Sequence, residues 1–101
     1  MAAKPLLEAL DLLGRRWALR IVWELRRDAL GFAELRRRAG VSSSVLAQRV
    51  RELEAAGVLE RGVRGRYRLT AAGRELGRVL FELNRWAELA AREREKAILA
   101  D

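Results

Sequence analysis

Apolar residues recur along the chain in blocks of helical period, separated by short breaks rich in Gly, Ser and Arg. Leu6, Leu7, Leu10 and Leu13 keep a three–four spacing from Pro5, which suits a first helical turn, up to Gly14. A second helix is predicted over Arg15–Arg27, with Trp17, Ala18, Ile21, Val22 and Leu25 on one face and Leu19 and Trp23 on another. A helix apolar over so much of its circumference is buried on more than one side, so this is the central helix. After a connection at Asp28–Gly31, the stripe Phe32, Leu35 and Ala39 predicts a short third helix that stops at Gly40. Val41 follows, then Ser42, Ser43 and Ser44, any of which suits the cap of a fourth helix. That helix buries Leu46, Val50 and Leu53 and ends at Ala56–Gly57. Val58–Val63 and Arg66–Leu69, on either side of Arg64–Gly65, predict the two strands of a hairpin. Thr70 caps a long last helix in which Leu76, Val79, Leu80, Leu83, Ala87 and Ala90 hold a three–four spacing.

Two helices joined by a tight Gly-containing turn and followed by a β-hairpin are the parts of a winged helix-turn-helix. The expected fold is mainly α with a small β-hairpin, as one domain over residues 1–101. Its helix-turn-helix spans about 32–56, its wing about 58–69, and its N-terminal helix and C-terminal helix (about 71–97) remain for dimerisation. Gly40 tolerates the positive φ that the turn needs, and Val41 is the apolar plug between the two helices. With Leu46, Val50 and Leu53 inward, Ser42, Ser43, Ser44, Ala47, Gln48 and Arg51 face out and Arg49 lies near the border. Ser hydroxyls and free N–H groups at a helix start bind phosphate, while Gln and Arg can each grip a base edge at two points. The serines are equally suited to ordinary capping, and Gln48 to a plain surface position. The hairpin carries Arg61, Arg64, Arg66 and Arg68, with no acidic residue from Arg61 to Arg68. Strand alternation sends Arg64, Arg66 and Arg68 to one side and Tyr67 and Leu69 to the other. Such a wing can lie on the DNA backbone or in a narrow minor groove, or serve only as a charged, solvated edge.

Charge tips that balance. The net charge is +7, and residues 31–69 hold nine Arg against four Glu, whereas residues 70–101 are neutral. Nineteen of the 21 basic residues are Arg, whose planar fork matches phosphate oxygens. A basic middle third points to a polyanion. The chain has no His and no Cys, which excludes the usual zinc, haem and iron–sulfur ligand sets, disulfides and cysteine nucleophiles. No metal and no cofactor are expected. No apolar segment sets two carboxylates beside a nucleophile, so an enzyme is not expected. The longest uncharged stretch, Ala39–Gln48, is ten residues, far short of a membrane span, and the expected setting is the cytoplasm without membrane attachment.

Three segments carry a resemblance. "EALDLLGRRWALRIVWEL" (Glu8–Leu25), "FAELRRRAGVSSSVLAQRVRELEAAGVLER" (Phe32–Arg61) and "YRLTAAGREL" (Tyr67–Leu76) stand in order, at the spacing of the HxlR-type winged-helix transcriptional regulators. Trp86 also falls where that family often has a late Trp. The resemblance covers nearly the full length. It implies a homodimer bound to inverted-repeat operators in double-stranded DNA, usually with repression, and an interface built by the first and last helices. By the same resemblance Ser43, Ser44, Gln48 and Arg49 match recognition-helix positions, and Arg64 and Arg66 match the wing. Two features depart from the family. Many members carry a Cys just before the first helix; here Lys4 lies in that region and the chain has no Cys, so thiol sensing is excluded. The wing, Gly62–Arg68, also lacks a Pro-containing insertion that many members show, which leaves the related MarR and PadR winged helices as sorting alternatives.

A dimer also follows from the apolar pattern alone. The central helix has more apolar faces than a three-helix core covers, and the last helix carries a long seam with Phe81 and Trp86 beside it. The expected interface residues are Leu6, Leu10, Trp23, Leu76, Leu80, Leu83 and Trp86. Such a dimer sets its recognition helices about 34 Å apart, one turn of DNA. Trp17, Trp23, Phe81 and Trp86 suit either core and interface or a pocket for a flat aromatic effector. The competing function is a winged-helix protein-interaction module without specific DNA readout. It predicts a neutral or acidic outer face on the recognition helix, and the charge of residues 31–69 argues against it.

Overall fold

The computed structural model describes residues 4–100. The elements run α1 (Lys4–Leu13), α2 (Ala18–Glu24), α3 (Phe32–Ala39), α4 (Ser43–Ala55), β1 (Leu59–Arg61), a single 3-10 turn (Val63–Gly65), β2 (Tyr67–Leu69) and α5 (Ala71–Ala100). The order is the expected one: mainly helical, with one antiparallel hairpin. The last helix reaches Ala100, a few residues past the expected end.

One helix departs from expectation. The central helix was predicted over Arg15–Arg27 but spans only Ala18–Glu24. At its start, Arg15–Trp17 form a turn in which Trp17 takes the left-handed conformation, φ 78°. Polar contacts from α4, described below, hold that turn. At its end, the Leu25 N–H is shared between the carbonyls of Ile21 and Val22, a tightening that closes the helix before the bend through Asp28.

The hairpin is also shorter than predicted. β1 and β2 pair Leu59 with Leu69, Glu60 with Arg68 and Arg61 with Tyr67. Val63 and Arg66 stand outside the strands, because Arg64 (φ 61°) and Gly65 (φ 70°) both turn left-handed. Alternation therefore governs Tyr67, Arg68 and Leu69, with Tyr67 and Leu69 buried and Arg68 exposed. It does not place Arg64, which sits at the tip. Leu30 adds an unforeseen bridge: its N–H donates to the Tyr67 carbonyl and its carbonyl accepts from the Tyr67 N–H, at 3.0 and 2.8 Å. The connection between α2 and α3 is thereby tied to the wing.

The core gathers Ile21 and Val22 from α2, Leu35 and Ala39 from α3, Val41 from the turn, and Leu46, Val50 and Leu53 from α4. Leu59, Tyr67 and Leu69 close it from the hairpin and Leu80 from α5. Each fully buried Leu or Ile contributes about 1.5–3 kcal/mol of apolar burial. Gly40 ends α3 at φ 72°, as the turn requires, and Val41 is buried between the two helices. At the head of α5, the Thr70 hydroxyl accepts from the Gly73 N–H at 3.1 Å and donates to the Gly57 carbonyl. The Thr70 N–H donates to the Val58 carbonyl at 3.0 Å, so the hairpin is latched to α5 at its root.

Candidate nucleic-acid interface

α4 has two faces. Leu46, Val50 and Leu53 seat it on the core, and Ser44, Gln48, Arg51 and Ala55 run along the opposite side at four–three–four spacing, all exposed. Ser42 is the capping serine of the triplet: its hydroxyl accepts from the Val45 N–H at 3.3 Å. Its Oγ also lies 3.4 Å from that of Ser44, and Ser43 and Ser44 remain exposed in the first turn. This end of α4 presents hydroxyls and unsatisfied N–H groups in one place, the arrangement that accepts phosphate oxygens. Arg51 has no ion pair or hydrogen bond among the described residues.

Arg49 behaves differently from its neighbours on α4. It was expected near the border of the recognition face; instead its side chain is only 18% exposed and turned to the body of its own chain. Nε donates to the Arg16 carbonyl at 2.8 Å and Nη1 to Glu52 at 3.0 Å. The second Glu52 oxygen pairs with Arg15 at 2.7 Å, while the Arg16 guanidinium lies 4.9 Å from the centroid of the Trp17 ring. Glu52 is thus a hub that joins the α1–α2 turn to the recognition helix. Sequence reasoning missed it. The three-residue spacing from Arg49 to Glu52 was visible, but nothing local linked either residue to Arg15.

The wing arginines divide into two kinds. Arg68 pairs with Glu60 across the strands at 2.9 Å, as their register dictates. Arg61 donates to the Tyr67 hydroxyl at 2.5 Å and covers the same ring. Arg64 and Arg66 are exposed and, among the described residues, have neither a carboxylate nor a hydrogen-bond partner for their side chains. They have the most freedom to meet an outside anion.

The expected dimer residues also separate. Leu6 and Leu10 project from α1, and Leu83 and Trp86 from α5, with exposures of 47% and 62% for the last two; Val79, a seam residue outside the expected interface, is exposed beside them at 61%. Leu80 does not: it is buried in the core of its own chain, and Leu76 packs half-buried beside it. Trp23 is half-buried too, with the Arg26 guanidinium 3.6 Å from its ring centroid. The thirty residues of α5 rise one turn every 3.6, so the seam read as one stripe drifts from core to surface along the helix. The four aromatics do not share one pocket. Phe81 lines a depression between α2 and α5, whereas Trp86 lines another farther along α5 with Glu82, Arg85 and Leu89.

Among the described residues, no helix is long and apolar enough to cross a membrane. The model of the HxlR-like helix-turn-helix family matches residues 12–95. An uncharacterised HTH-type transcriptional regulator of Bacillus subtilis, YvaP, is 36% identical over 87 residues, covering 79% of this chain and 81% of that protein. An uncharacterised HTH-type transcriptional regulator of Mycobacterium tuberculosis, Rv3095, is 35% identical over 86 residues, and there the match spans 54% of the relative. Among solved structures, quinone-bound YodB from B. subtilis superposes with a TM-score of 0.78 at 33% identity, covering 85% of this chain and 97% of YodB. A possible HxlR family transcriptional factor from Thermoplasma volcanium gives a TM-score of 0.73 at 27% identity, covering 82% and 81%. The winged helix, the family match across the body of the chain and these relatives agree: the chain belongs to the HxlR-like helix-turn-helix family and is a helix-turn-helix transcriptional regulator.

Proposed function

We propose that the protein is a homodimeric repressor that binds inverted-repeat operators in double-stranded DNA. The observation that carries the reading is the exposed apolar band of α5, Val79, Leu83 and Trp86, together with Leu6 and Leu10 of α1. Both helices flank the winged helix, and a band of this kind in water favours a second copy. In the dimer, each α4 enters the major groove. Ser43 and Ser44 take backbone phosphates, Gln48 and Arg51 read base edges, and Arg64 and Arg66 lie on the backbone beside the groove. Arg49 positions α4 rather than reading bases, because its side chain is only 18% exposed and is bonded to Arg16 and Glu52 of its own chain. Repression follows where the operator overlaps the site that polymerase uses.

The dimer has its own test. We expect Leu83→Asp, at a surface position, to halve the mass measured by sedimentation while the helical circular dichroism signal stays unchanged. A wild-type chain that sediments as a monomer, or a variant that keeps the wild-type mass, removes this seam from the interface.

A further inference from the structure

We propose that the depression between the end of α2 and the first half of α5 binds a small organic anion, a carboxylate carried on an apolar ring. Four arginines, Arg26, Arg27, Arg74 and Arg78, line an open hollow of about 360 Å³. No carboxylate lines it, and among the described residues only Arg78 of the four has an acidic partner, Glu75. The other three carry like charges without a counter-charge and repel one another, and a bound anion relieves that repulsion.

Two of the guanidiniums are already held in place. Arg26 donates to the Trp23 carbonyl at 2.9 Å while its guanidinium lies over the Trp23 ring, and Arg74 donates to the Leu69 carbonyl at 3.2 Å. A guanidinium carries five N–H donors, so each keeps several free for a ligand with little further loss of side-chain freedom. The rest of the lining is apolar. Phe81 offers a ring that is 55% exposed, and Leu69 forms part of the wall. Gly77 leaves the floor bare: a Cβ there would meet only Leu69 Cδ1 at 3.8 Å and Arg26 Cβ at 3.9 Å. A concave site with an apolar wall and convergent cationic donors matches a small amphipathic anion better than the convex backbone of a duplex.

At 100° per residue, Phe81 lies on the far flank of α5 from Val79 and Leu83, so the hollow stays open in the dimer proposed above. The inference does not depend on the DNA-binding reading. It stands or falls on ligand binding alone.

The test is a titration of the full chain with benzoate, followed by the Gly77 amide and the arginine Nε–H resonances, with benzyl alcohol and inorganic phosphate in parallel. We expect benzoate to saturate at or below about 1 mM and benzyl alcohol to leave the resonances unmoved. Phe81→Ala should weaken benzoate by about tenfold and leave phosphate unchanged. The double variant Arg27→Gln/Arg74→Gln, both exposed positions, should abolish benzoate binding without changing the circular dichroism spectrum. Shifts that grow linearly without saturation overturn the site, as does benzyl alcohol binding as well as benzoate. Phosphate binding as tightly as benzoate overturns the organic-anion assignment. Loss of duplex affinity in the double variant, with benzoate inert, assigns the arginines to DNA backbone and overturns it too.

Discussion

The closeness of the wing to α5 can be tested at two glycines four residues apart. A Cβ at Gly73 would lie 2.0 Å from the Val58 carbonyl oxygen and 3.1 Å from both the Val58 carbonyl carbon and Leu69 Cβ. Relief requires the root of β1 to retreat from α5 by about 1 Å, which costs about 1–3 kcal/mol as overpacking. The retreat also stretches the bonds that Thr70 makes to the Gly57 and Val58 carbonyls, together worth about 1–2 kcal/mol. The helix gains about 1 kcal/mol from replacing Gly by Ala. We therefore expect Gly73→Ala to destabilise the fold by about 1–4 kcal/mol. A Cβ at Gly77 meets nothing closer than 3.8 Å, so Gly77→Ala should keep the whole propensity gain and stabilise by about 1 kcal/mol. At roughly 4–8 °C per kcal/mol for a domain of this size, thermal unfolding followed at 222 nm should separate the two variants clearly. Protomer concentration must be held equal, since a dimer's Tm depends on it. A Gly73→Ala protein at least as stable as the wild type would refute the close docking of hairpin on helix.

Two further substitutions test the recognition surface. We expect Gln48→Ala to cost about 1–3 kcal/mol on the preferred sequence and little on random duplex, whereas Arg64→Ala should weaken all duplexes alike and flatten the salt dependence by about one counterion; equal losses on specific and random DNA for Gln48→Ala would remove it from base readout. Glu52→Gln should release both Arg15 and Arg49, lowering stability by about 1–2 kcal/mol at this partly buried site, with the outer Arg15 pair discounted for solvent screening, and should lower specific DNA affinity more than non-specific affinity. Urea unfolding and binding isotherms unchanged from wild type would show that the hub does not position α4.

Legibility followed the range of the interactions. The α3–turn–α4 unit was readable because its signals are local: the Leu46–Val50–Leu53 stripe, Gly40 at the left-handed turn and a serine cap. Thr70 at the head of α5 was readable for the same reason. The bounds of α2 were not, because Arg15 and Arg16 are held by Glu52 and Arg49, more than thirty residues away. That same contact withdrew Arg49 from the recognition face. In the wing, two successive left-handed residues displaced Arg64 from the strand alternation, and only one of them is a glycine. Leu80 illustrates a different limit. Periodicity marks an apolar stripe on a long helix, but it does not say where along the stripe the core gives way to solvent.

The central claim is that the α5 band makes a dimer whose two α4 helices read one operator. Selection of bound sequences from a random duplex pool, at near-physiological salt, tests it most directly. We expect an enriched inverted repeat with half-sites about 10 bp apart, centre to centre. A pool that stays random, with binding that fades steeply as salt rises, would mean phosphate attraction alone and would contradict the claim.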